Sequence, residues 1–440
     1  MINVGFVSLG CSKNLVDTEI MVGLVGADGF KIVNDEAEAD VIIINTCGFI
    51  DSAKEEAIST ILEMARHKEG GRLKKLIVTG CLAERYRDEV LRELPEVDAV
   101  VGVGRFSEIV DIIKSSDMEF FGYENREYPE TLPRILSTPS YTAYLKIAEG
   151  CDNHCTYCSI PMIRGKYRSR KTEDVLAEAA KLAEGGVREI NVIAQDTTRY
   201  GLDIYGKAVL PKLLNGLCEI EGLALVRVLY TYPEMIDGEL IKVIKNNDKM
   251  AKYFDIPIQH SENSVLKRMG RKSRKEGIAK LLLKIREEIP EAVIRTSIIV
   301  GFPGETEEDF LGLCKFAEDM QFDRLGVFKY SREEGTPAYS LGGQIDEETK
   351  EKRYNKLMEI QQRIADEKNN EKIGKVIKVL IEGSADGLYY GRSQFDAPQI
   401  DGKVYIKTKN VYAPGEFSDV KITSAVNYDL IGEVEIEPAE

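Results

Sequence analysis

The chain alternates short apolar runs with amphipathic segments of helical period. Residues 1–118 hold four such runs, NVGFVSLG, DVIIINTC, KLIVTGC and DAVVGVG, and each is followed by a polar or glycine-marked turn. Amphipathic segments such as DSAKEEAISTILEMARHK come after the turns. Strands that alternate with helices form parallel sheets with helices on their faces. We therefore predict an amino-terminal α/β domain over residues 1–118.

The alternation of predicted strands and helices stops at residues 119–136 and resumes after them. Residues 119–136 carry charges and prolines without sustained periodicity, which is typical of a linker. Six more strand and helix units follow in residues 137–369, with strands at TAYLKIA, REINVIA, ALVRVLY, KYFDIPI, AVIRTSIIV and DRLGVFKY. Six parallel units predict a partial (β/α)6 barrel, an open version of the eight-stranded barrel, with its site at the carboxyl ends of the strands.

A long charged helical segment, DEETKEKRYNKLMEIQQRIADEKNNEKIG, leads into the last part of the chain. Residues 370–440 contain five short strand patterns separated by Gly, Asp and Pro turns. This spacing predicts a small antiparallel β-barrel of OB-like form. The fold class predicted for the whole chain is α/β with a small β-barrel at the carboxyl end.

Composition narrows the functional classes. At 440 residues, 43% hydrophobic and 30% charged, the chain fits a globular protein of two or three domains. It has no apolar run long enough to cross a membrane and no basic segment before its first apolar stretch, so we expect a cytoplasmic protein with no membrane partner. A net charge of -15 argues against RNA or DNA binding as the main interaction and favours a basic partner.

Eight cysteines in a reducing compartment are better explained as metal ligands or core thiols than as disulfides. Cys218 and Cys314 lie in apolar helical patterns, where a small buried side chain is expected. Cys11, Cys47 and Cys81 each follow a predicted strand. Because ligand sites form at the carboxyl ends of parallel strands, these three thiols are predicted to converge on one metal site. The alternative is a coincidental placement of small residues.

Cys151, Cys155 and Cys158 form a C-x3-C-x2-C run in EGCDNHCTYCSIPMIRG. A structural zinc site has four ligands, and an ordinary electron-transfer 4Fe-4S cluster has four cysteines. Three cysteines on one short loop therefore predict a 4Fe-4S cluster with one iron open to a small molecule. The alternative is a loop of buried or zinc-binding thiols, which His154 would complete.

This spacing resembles the signature of the radical S-adenosylmethionine (radical SAM) superfamily, in which the open iron binds the methionine part of the cofactor. The resemblance implies that the cluster cleaves the cofactor with one electron and releases a 5'-deoxyadenosyl radical. It also implies that Tyr157, just before the last cysteine, lies beside the adenine. A packed loop aromatic is the alternative for Tyr157.

Two more segments resemble cofactor-binding parts of that superfamily. Gln195 and Asp196 follow the second barrel strand, at the position of a segment that grips the methionine end of the cofactor. Gly301, Pro303 and Gly304 follow the fifth strand and resemble the Gly-Pro strand that lies along the cofactor, since glycine lets a backbone approach a ligand. The alternatives are a turn-forming role for Asp196 and a simple strand-to-helix turn for the glycine segment.

Other polar residues fall near the predicted barrel mouth. The fourth strand ends at Gln259 and His260, and this histidine is expected either to donate to a substrate oxygen or to satisfy a loop carbonyl. A basic run follows the cysteine loop and consists of Arg164, Lys166, Arg168, Arg170 and Lys171. Most of it is expected to be solvated, while one or two members offset cluster charge or contact an acidic substrate group.

In its three parts the whole chain resembles the methylthiotransferase family: an amino-terminal domain with three cluster cysteines, a radical SAM barrel, and a small barrel of the TRAM type. The resemblance implies attachment of a methylthio group to carbon with two 4Fe-4S clusters and two S-adenosylmethionine molecules. One molecule methylates sulfur held at the auxiliary cluster of Cys11, Cys47 and Cys81, and the other supplies the radical. An electron donor protein is implied as a partner.

The family divides by substrate into enzymes that modify a transfer RNA adenosine and enzymes that modify an aspartate of a small-subunit ribosomal protein. The opening LGCSKNLVDTE resembles the second branch. Residues 375–440 hold 7 basic and 11 acidic residues, which favours a basic protein over RNA. We therefore expect methylthiolation of the β-carbon of an aspartate in protein twelve of the small subunit. The alternatives are a transfer RNA methylthiotransferase and a non-catalytic iron-sulfur sensor that binds RNA or a ribosome.

Overall fold

The computed structural model of the protein describes residues 1–69, 71–122 and 132–434. The chain forms an amino-terminal α/β domain, a central partial barrel and a carboxyl-terminal β-barrel. Among the described residues, no helix has both the length and the apolar character needed to cross a membrane.

The amino-terminal domain is a six-stranded sheet in the order β2-β1-β3-β4-β5-β6, and every neighbouring pair is parallel. Apolar clusters cover both of its faces, as expected for buried parallel strands. The strands are β1 Asn3–Ser8, β2 Lys31–Val33, β3 Val41–Thr46, β4 Lys75–Gly80, β5 Ala99–Val101 and β6 Glu119–Phe120. The helices are α1 Ser12–Ala27, α2 Asp51–Ala65, α3 Cys81–Arg85, α4 Arg87–Glu93 and α5 Ile109–Lys114.

The segment predicted as a linker is partly structured. Its first two residues form β6 and pair with β5, and thus extend the sheet. Residues 123–131 lie outside the described part of the chain. Near the end of the segment, Arg134 donates to Glu19 of α1 at 2.6 Å and to Glu178 at 2.7 Å, so these residues fasten the amino-terminal domain to the central one.

The central domain contains all six predicted barrel strands. They form two parallel sheets, β7-β10-β11 and β12-β13-β14, joined by a bridge between Val226 and Met250. The strands are β7 Thr142–Lys146, β8 Ala148–Glu149, β9 Arg168–Ser169, β10 Glu189–Ile193, β11 Leu225–Val228, β12 Tyr253–Asp255, β13 Val293–Val300 and β14 Arg324–Lys329, of which the short β8 and β9 pair with each other. The helices are α6 Ile160–Arg164, α7 Thr172–Glu184, α8 Leu202–Tyr205, α9 Leu210–Glu219, α10 Gly238–Asn246, α11 Asn263–Arg268, α12 Lys275–Glu288, α13 Glu307–Met320 and α14 Glu347–Asn370.

The carboxyl-terminal domain is a closed five-stranded barrel in the order β15-β16-β17-β19-β18. Its strands are β15 Val376–Ala385, β16 Leu388–Ser393, β17 Val404–Lys407, β18 Phe417–Val426 and β19 Asp429–Glu433. The closed barrel matches the prediction, and one pairing differs in direction: β17 and β19 run parallel, while the other four pairings are antiparallel.

The three parts share a core, which restricts their relative movement. Val16 and Ile20 of α1 pack with Tyr144 and Tyr253 of the central domain and with Ala397 of the small barrel. Cys218 and Cys314 lie in the main core of the central domain, as predicted.

The acidic excess counted in the tail is mostly absent from the described surface of the barrel. Asp396 pairs with Arg324 at 2.8 Å, and Asp401 accepts a hydrogen bond from the Tyr253 hydroxyl at 2.6 Å. The exposed charges are Lys375, Lys378, Lys403, Lys407 and Lys409 against Asp386, Glu416, Asp419 and Glu433. Three more of the counted acidic residues lie in 435–440, outside the described residues. The charge count therefore does not by itself indicate a basic partner.

Candidate active site

The loop of residues 150–159, which carries the C-x3-C-x2-C run, follows β8 at the barrel mouth. Hydrogen bonds with two later segments of the chain hold it in place at Thr156. Thr156 donates its amide to the Met269 carbonyl at 2.9 Å and its hydroxyl to the Arg268 carbonyl at 2.8 Å. The Ala338 amide donates to the Thr156 carbonyl at 2.9 Å. The loop conformation is thus set by hydrogen bonds with later segments of the chain.

Two side chains that were not singled out from the sequence, Tyr232 and Arg271, lie near the middle cysteine, Cys155. The Tyr232 hydroxyl lies 2.8 Å from Cys155 Sγ, and the Arg271 guanidinium stacks 3.9 Å from the centre of the Tyr232 ring. Burial raises the pKa of the Cys151 thiol to about 11 and raises the pKa of the Cys158 thiol further. Tyr232 comes after the third barrel strand, β11, so its position at the mouth was available as a sequence signal.

The second set of thiols lies at the carboxyl edge of the amino-terminal sheet. Cys11 precedes α1, Cys47 directly follows β3, and Cys81 begins α3 directly after β4. Strands β1, β3 and β4 are adjacent in the sheet, so the three loops meet. A side chain at Gly10 would come within 2.7 Å of Cys47 Cβ, which shows how closely the first two loops approach. The structure therefore brings the three cysteines to one edge, as the strand pattern predicted.

Electrostatic effects connect the three thiols. Burial raises the pKa of Cys81 to about 11, the nearby Arg164 guanidinium opposes this rise, and the Cys11 and Cys47 thiols add to it. Burial is also the main cause of the raised pKa of Cys47. In each set one cysteine is buried, Cys81 in the first and Cys155 in the second, while Cys11 is exposed and the other three are partly buried. Thiols lose their protons when they bind metal.

Each of the two sets offers three free thiols, which are the donors that hold iron-sulfur clusters. All six cysteines are free thiols. Within the described residues, no three His, Cys, Asp or Glu side chains gather around a position for one metal ion. A 4Fe-4S cluster attaches each thiolate to a different iron, so its cysteines stand farther apart than the ligands of a single zinc ion. His154 is exposed and makes no contact that would complete a zinc site at the loop.

Gln195 and Asp196 differ in what they contact. Gln195 donates to Glu149 at 2.6 Å, and its own side-chain oxygen is buried without a protein partner. Asp196 accepts hydrogen bonds from the Thr198 amide at 3.0 Å and from Asn153 of the cysteine loop at 2.7 Å. Asp196 therefore has the turn-forming role that was its alternative, and it also positions the loop.

The glycine segment reaches the cysteine loop through an intermediate helix. Arg268, at the end of α11, donates to the Gly304 carbonyl at 2.6 Å, and its own carbonyl accepts from Thr156. A side chain at Gly301 would come within 2.3 Å of Lys350, and one at Gly304 would meet Arg268. The close approach that requires glycine here is thus to other side chains of the protein.

Tyr157 is partly buried against the cluster formed by Val265, Met269, Phe302, Tyr330 and Ala338. Phe302 lies between Gly301 and Pro303, so the aromatic ring of Tyr157 and the glycine segment belong to the same packed group. This packing agrees with the alternative of a packed loop aromatic for Tyr157. It also brings the predicted adenine-binding residue beside the predicted cofactor strand.

His260 accepts a backbone amide and, among the described residues, does not satisfy a loop carbonyl, while its donation to a substrate oxygen stays a prediction. It is fully buried, its Nδ1 accepts the Glu262 amide at 3.0 Å, and its Nε2 lies 3.8 Å from a Glu305 carboxylate oxygen. Burial lowers the pKa of His260 to about 3, so the ring is neutral. The neutral ring caps a backbone amide, whereas the sequence suggested that it donates to a carbonyl or to substrate.

The basic run divides into buried and exposed members. Arg164 is 2% exposed and contacts Cys81, while Arg170 is 2% exposed and pairs with Glu178 at 2.6 Å. Lys166 is exposed. The prediction that one or two members lie against the thiols therefore applies to Arg164.

The two cysteine sets are joined by α6, the helix that follows the cysteine loop. Ile163 of α6 packs directly against Cys81 and Val103. A second connection is made by Glu333, which accepts from Arg85 of α3 at 2.7 Å and from Lys54 of α2 at 3.2 Å. The two sites are therefore held together across the domain boundary.

Three family models match consecutive parts of the chain. They are the uncharacterized protein family UPF0004 at residues 3–102, the radical SAM superfamily at residues 145–317, and the TRAM domain at residues 373–434. Radical SAM enzymes bind S-adenosylmethionine and a 4Fe-4S cluster, so the chain is an enzyme of the radical SAM type. The fold also resembles the structure of the radical S-adenosylmethionine methyltransferase TsrM from Kitasatospora setae with cobalamin and a 4Fe-4S cluster bound. The TM-score is 0.55 and the identity 14%, over 88% of this chain and 80% of that one.

Full-length relatives are more similar. The chain is 54% identical over 450 aligned positions to the ribosomal protein uS12 methylthiotransferase RimO of Clostridioides difficile (strain 630), with 100% of both chains covered. It is 52% identical to the RimO of Thermoanaerobacter sp. (strain X514), with 98% of this chain and 100% of that protein covered. The chain belongs to the RimO family of ribosomal protein uS12 methylthiotransferases.

Proposed function

We propose that the enzyme attaches a methylthio group to the β-carbon of an aspartate in ribosomal protein uS12, which is protein twelve of the small subunit. The observation that carries the proposal is the full-length identity of 54% to a uS12 methylthiotransferase. The two cysteine sets, called the two triads from here on, lie close together. This supports the proposal, because sulfur insertion requires a sulfur-holding site beside a radical-generating site.

The two triads have different roles in this proposal. The cluster that cleaves S-adenosylmethionine is held by Cys151, Cys155 and Cys158. The auxiliary cluster is held by Cys11, Cys47 and Cys81. The bound cofactors supply the methyl group, the radical and the sulfur chemistry. The residues of the chain fix the two sites relative to each other.

The cofactor site is proposed to lie among Tyr157, Gln195 and the segment 301–304. The buried Gln195 side-chain oxygen, which has no protein partner, supports this, because a buried acceptor without a donor is costly. The amino group of the methionine part of the cofactor carries the kind of donor that this oxygen lacks. The two glycines of the segment contribute backbone conformation, with φ of 72° at Gly301 and 76° at Gly304.

Ribosomal protein uS12 and an electron donor protein are the partners in this proposal. The net charge of -15 supports long-range attraction to a basic ribosomal protein. The small barrel contributes little to this attraction in its described part, since its exposed lysines outnumber its exposed carboxylates. We propose that substrate attraction comes from the charge of the whole chain.

One surface favours a second candidate, a transfer RNA methylthiotransferase. Tyr390 and Tyr405 are cross-strand partners on β16 and β17, and Lys403 lies 4.7 Å from the centre of the Tyr390 ring. Aromatic and basic side chains on one sheet face are a combination used for single-stranded RNA. The relatives named for uS12 outweigh this surface.

The test is an anaerobic reaction of reconstituted enzyme with S-adenosylmethionine, a reductant, and either small ribosomal subunits or bulk transfer RNA. Mass spectrometry then measures the methylthio addition. We expect the addition on an aspartate of uS12. Addition on RNA alone would support the methylthiotransferase reaction and contradict uS12 as the substrate. Release of 5'-deoxyadenosine and methionine separates an enzyme of this type from an iron-sulfur sensor.

A further inference from the structure

Arg164 lies between the two cysteine triads. It is the last residue of α6 and stands six positions after Cys158, and its side chain reaches into the amino-terminal domain. One guanidinium nitrogen lies 3.6 Å from Cys81 Sγ and also donates to Asn14 Oδ1. The Asn14 side chain in turn donates to the Thr46 carbonyl at 2.9 Å, beside Cys47.

The other side of the same guanidinium is tied to the start of the cysteine loop. It donates to Glu149, two residues before Cys151, at 2.9 Å and to Asp17 of α1 at 2.9 Å. Lys146 also donates to Glu149 at 2.9 Å and contacts Asp17. Arg164 is thus oriented by two carboxylates, which leaves its remaining N–H groups directed at Cys81 and Asn14.

The burial of the Arg164 guanidinium determines how strongly its charge acts on its neighbours. Arg164 is 2% exposed, and Lys146 is 1% exposed. Solvent screens a charge poorly in such a site, so Arg164, although it is paired with Asp17 and Glu149, acts on the adjacent Cys81 sulfur more strongly than it would at a surface. Hydrogen bonds to cluster sulfurs and nearby charge are among the factors that set the reduction potential of an iron-sulfur cluster.

We propose that Arg164 is a positioning residue that donates a hydrogen bond to the Cys81 sulfur and raises the reduction potential of the auxiliary cluster. Reduction adds one electron to the cluster, and a nearby buried cation stabilises the reduced form relative to the oxidised form. The same side chain links the auxiliary site to the Glu149 end of the radical loop. The inference rests on the proposed function, because it takes Cys81 as a ligand of the auxiliary cluster.

The experiment uses full-length protein with Cys151→Ala, Cys155→Ala and Cys158→Ala, so that only the auxiliary cluster is present. After reconstitution, a redox titration followed by electron paramagnetic resonance gives the midpoint potential. We expect Arg164→Met to shift it to a more negative value and Arg164→Lys to shift it less, since lysine keeps the charge but loses the planar fork. Lys166→Met removes one charge from the exposed neighbour in the same segment and should leave the potential unchanged.

The outcomes separate this inference from the proposed function. If the triple variant binds no iron, the auxiliary assignment of Cys11, Cys47 and Cys81 fails. If it binds iron and Arg164→Met has the parent potential, the role of Arg164 fails while the assignment stands. Loss of iron from both Arg164 variants would overturn the electrostatic role and leave a purely structural one.

Discussion

The two cysteine triads reach the same region of the molecule by different routes. Cys151, Cys155 and Cys158 lie on one loop, so their spacing is a local property of the chain. Cys11, Cys47 and Cys81 are separated by more than thirty residues each and meet because β1, β3 and β4 are neighbours in one parallel sheet. The first site depends on a loop conformation, whereas the second depends on the whole amino-terminal fold. Changes to the loop should therefore affect cleavage of S-adenosylmethionine, and changes to the sheet should affect methylthio addition.

The largest expected effect tests this separation directly. Cys155→Ala should reduce release of 5'-deoxyadenosine to background, because the radical cluster loses a ligand. Cys47→Ala should keep that release near the parent level and abolish methylthio addition. Both products can be measured in the same anaerobic reaction by chromatography and mass spectrometry. Full methylthio addition by Cys47→Ala would show that the auxiliary role is wrong.

A backbone change should remove the auxiliary cluster without touching a thiol. Gly80 precedes Cys81 with φ of 95°, and a side chain there would lie 2.3 Å from Asn45 Oδ1 and 2.4 Å from the Thr46 carbonyl oxygen. We expect Gly80→Ala to displace Cys81 and to lower bound iron from about eight to about four per chain. Iron analysis and 5'-deoxyadenosine release on the same sample give the result.

The matched control for that change is Gly29→Ala in the same domain. Gly29 has φ of 86°, but nothing lies within 4 Å of an added side chain. This variant should carry only the penalty for a left-handed residue, about 1 kcal/mol, and keep both clusters. If the two alanine variants lose iron equally, backbone conformation and not the contact at Gly80 would explain the loss.

A smaller effect is expected in the loop. Asn153 donates to the buried Asp196 carboxylate at 2.7 Å, and Asn153→Ala would leave that acceptor without this donor. Loss of one such hydrogen bond costs about 1 kcal/mol, which would slow 5'-deoxyadenosine release about fivefold. The auxiliary cluster provides an internal control, because its spectrum in the Cys151, Cys155 and Cys158 alanine background should not respond to Asn153→Ala. A change in that spectrum would mean that the two sites are more strongly coupled than their separate scaffolds suggest.

The difference between the sites also explains what the sequence could predict. All six barrel strands and the cysteine run were found because their patterns are local. The convergence of the other three cysteines followed from one rule about parallel strands. The basic run predicted that one or two of its members would offset cluster charge. That Arg164 is the member and that it contacts Cys81 could not be predicted, because this contact crosses between two domains whose relative placement has no local signal. Nor could a count of charges reveal that Asp396 is buried against Arg324.

The smallest expected effect concerns the amino ends of the strands that carry the auxiliary cysteines. Asp40, just before β3, accepts the Asn3 amide of β1 at 2.9 Å and pairs with Arg72, before β4, at 3.1 Å. The Arg72 and Asn3 hydrogen bonds lower the pKa of Asp40 from 3.8 to about 2. Because the folded-state pKa is the lower one, this stabilisation is complete above about pH 4 and is lost as the pH falls through about 2.

In urea unfolding of the metal-free protein, the free energy of unfolding of Asp40→Asn should thus differ from that of the parent at pH 6, and the difference should shrink between pH 4 and pH 2. The exposed Asp111→Asn in α5 is the control for the loss of one surface carboxylate. A difference that stayed constant with pH would mean that the charge of Asp40 does not hold the three strand ends together, and that the sheet alone aligns the auxiliary cysteines.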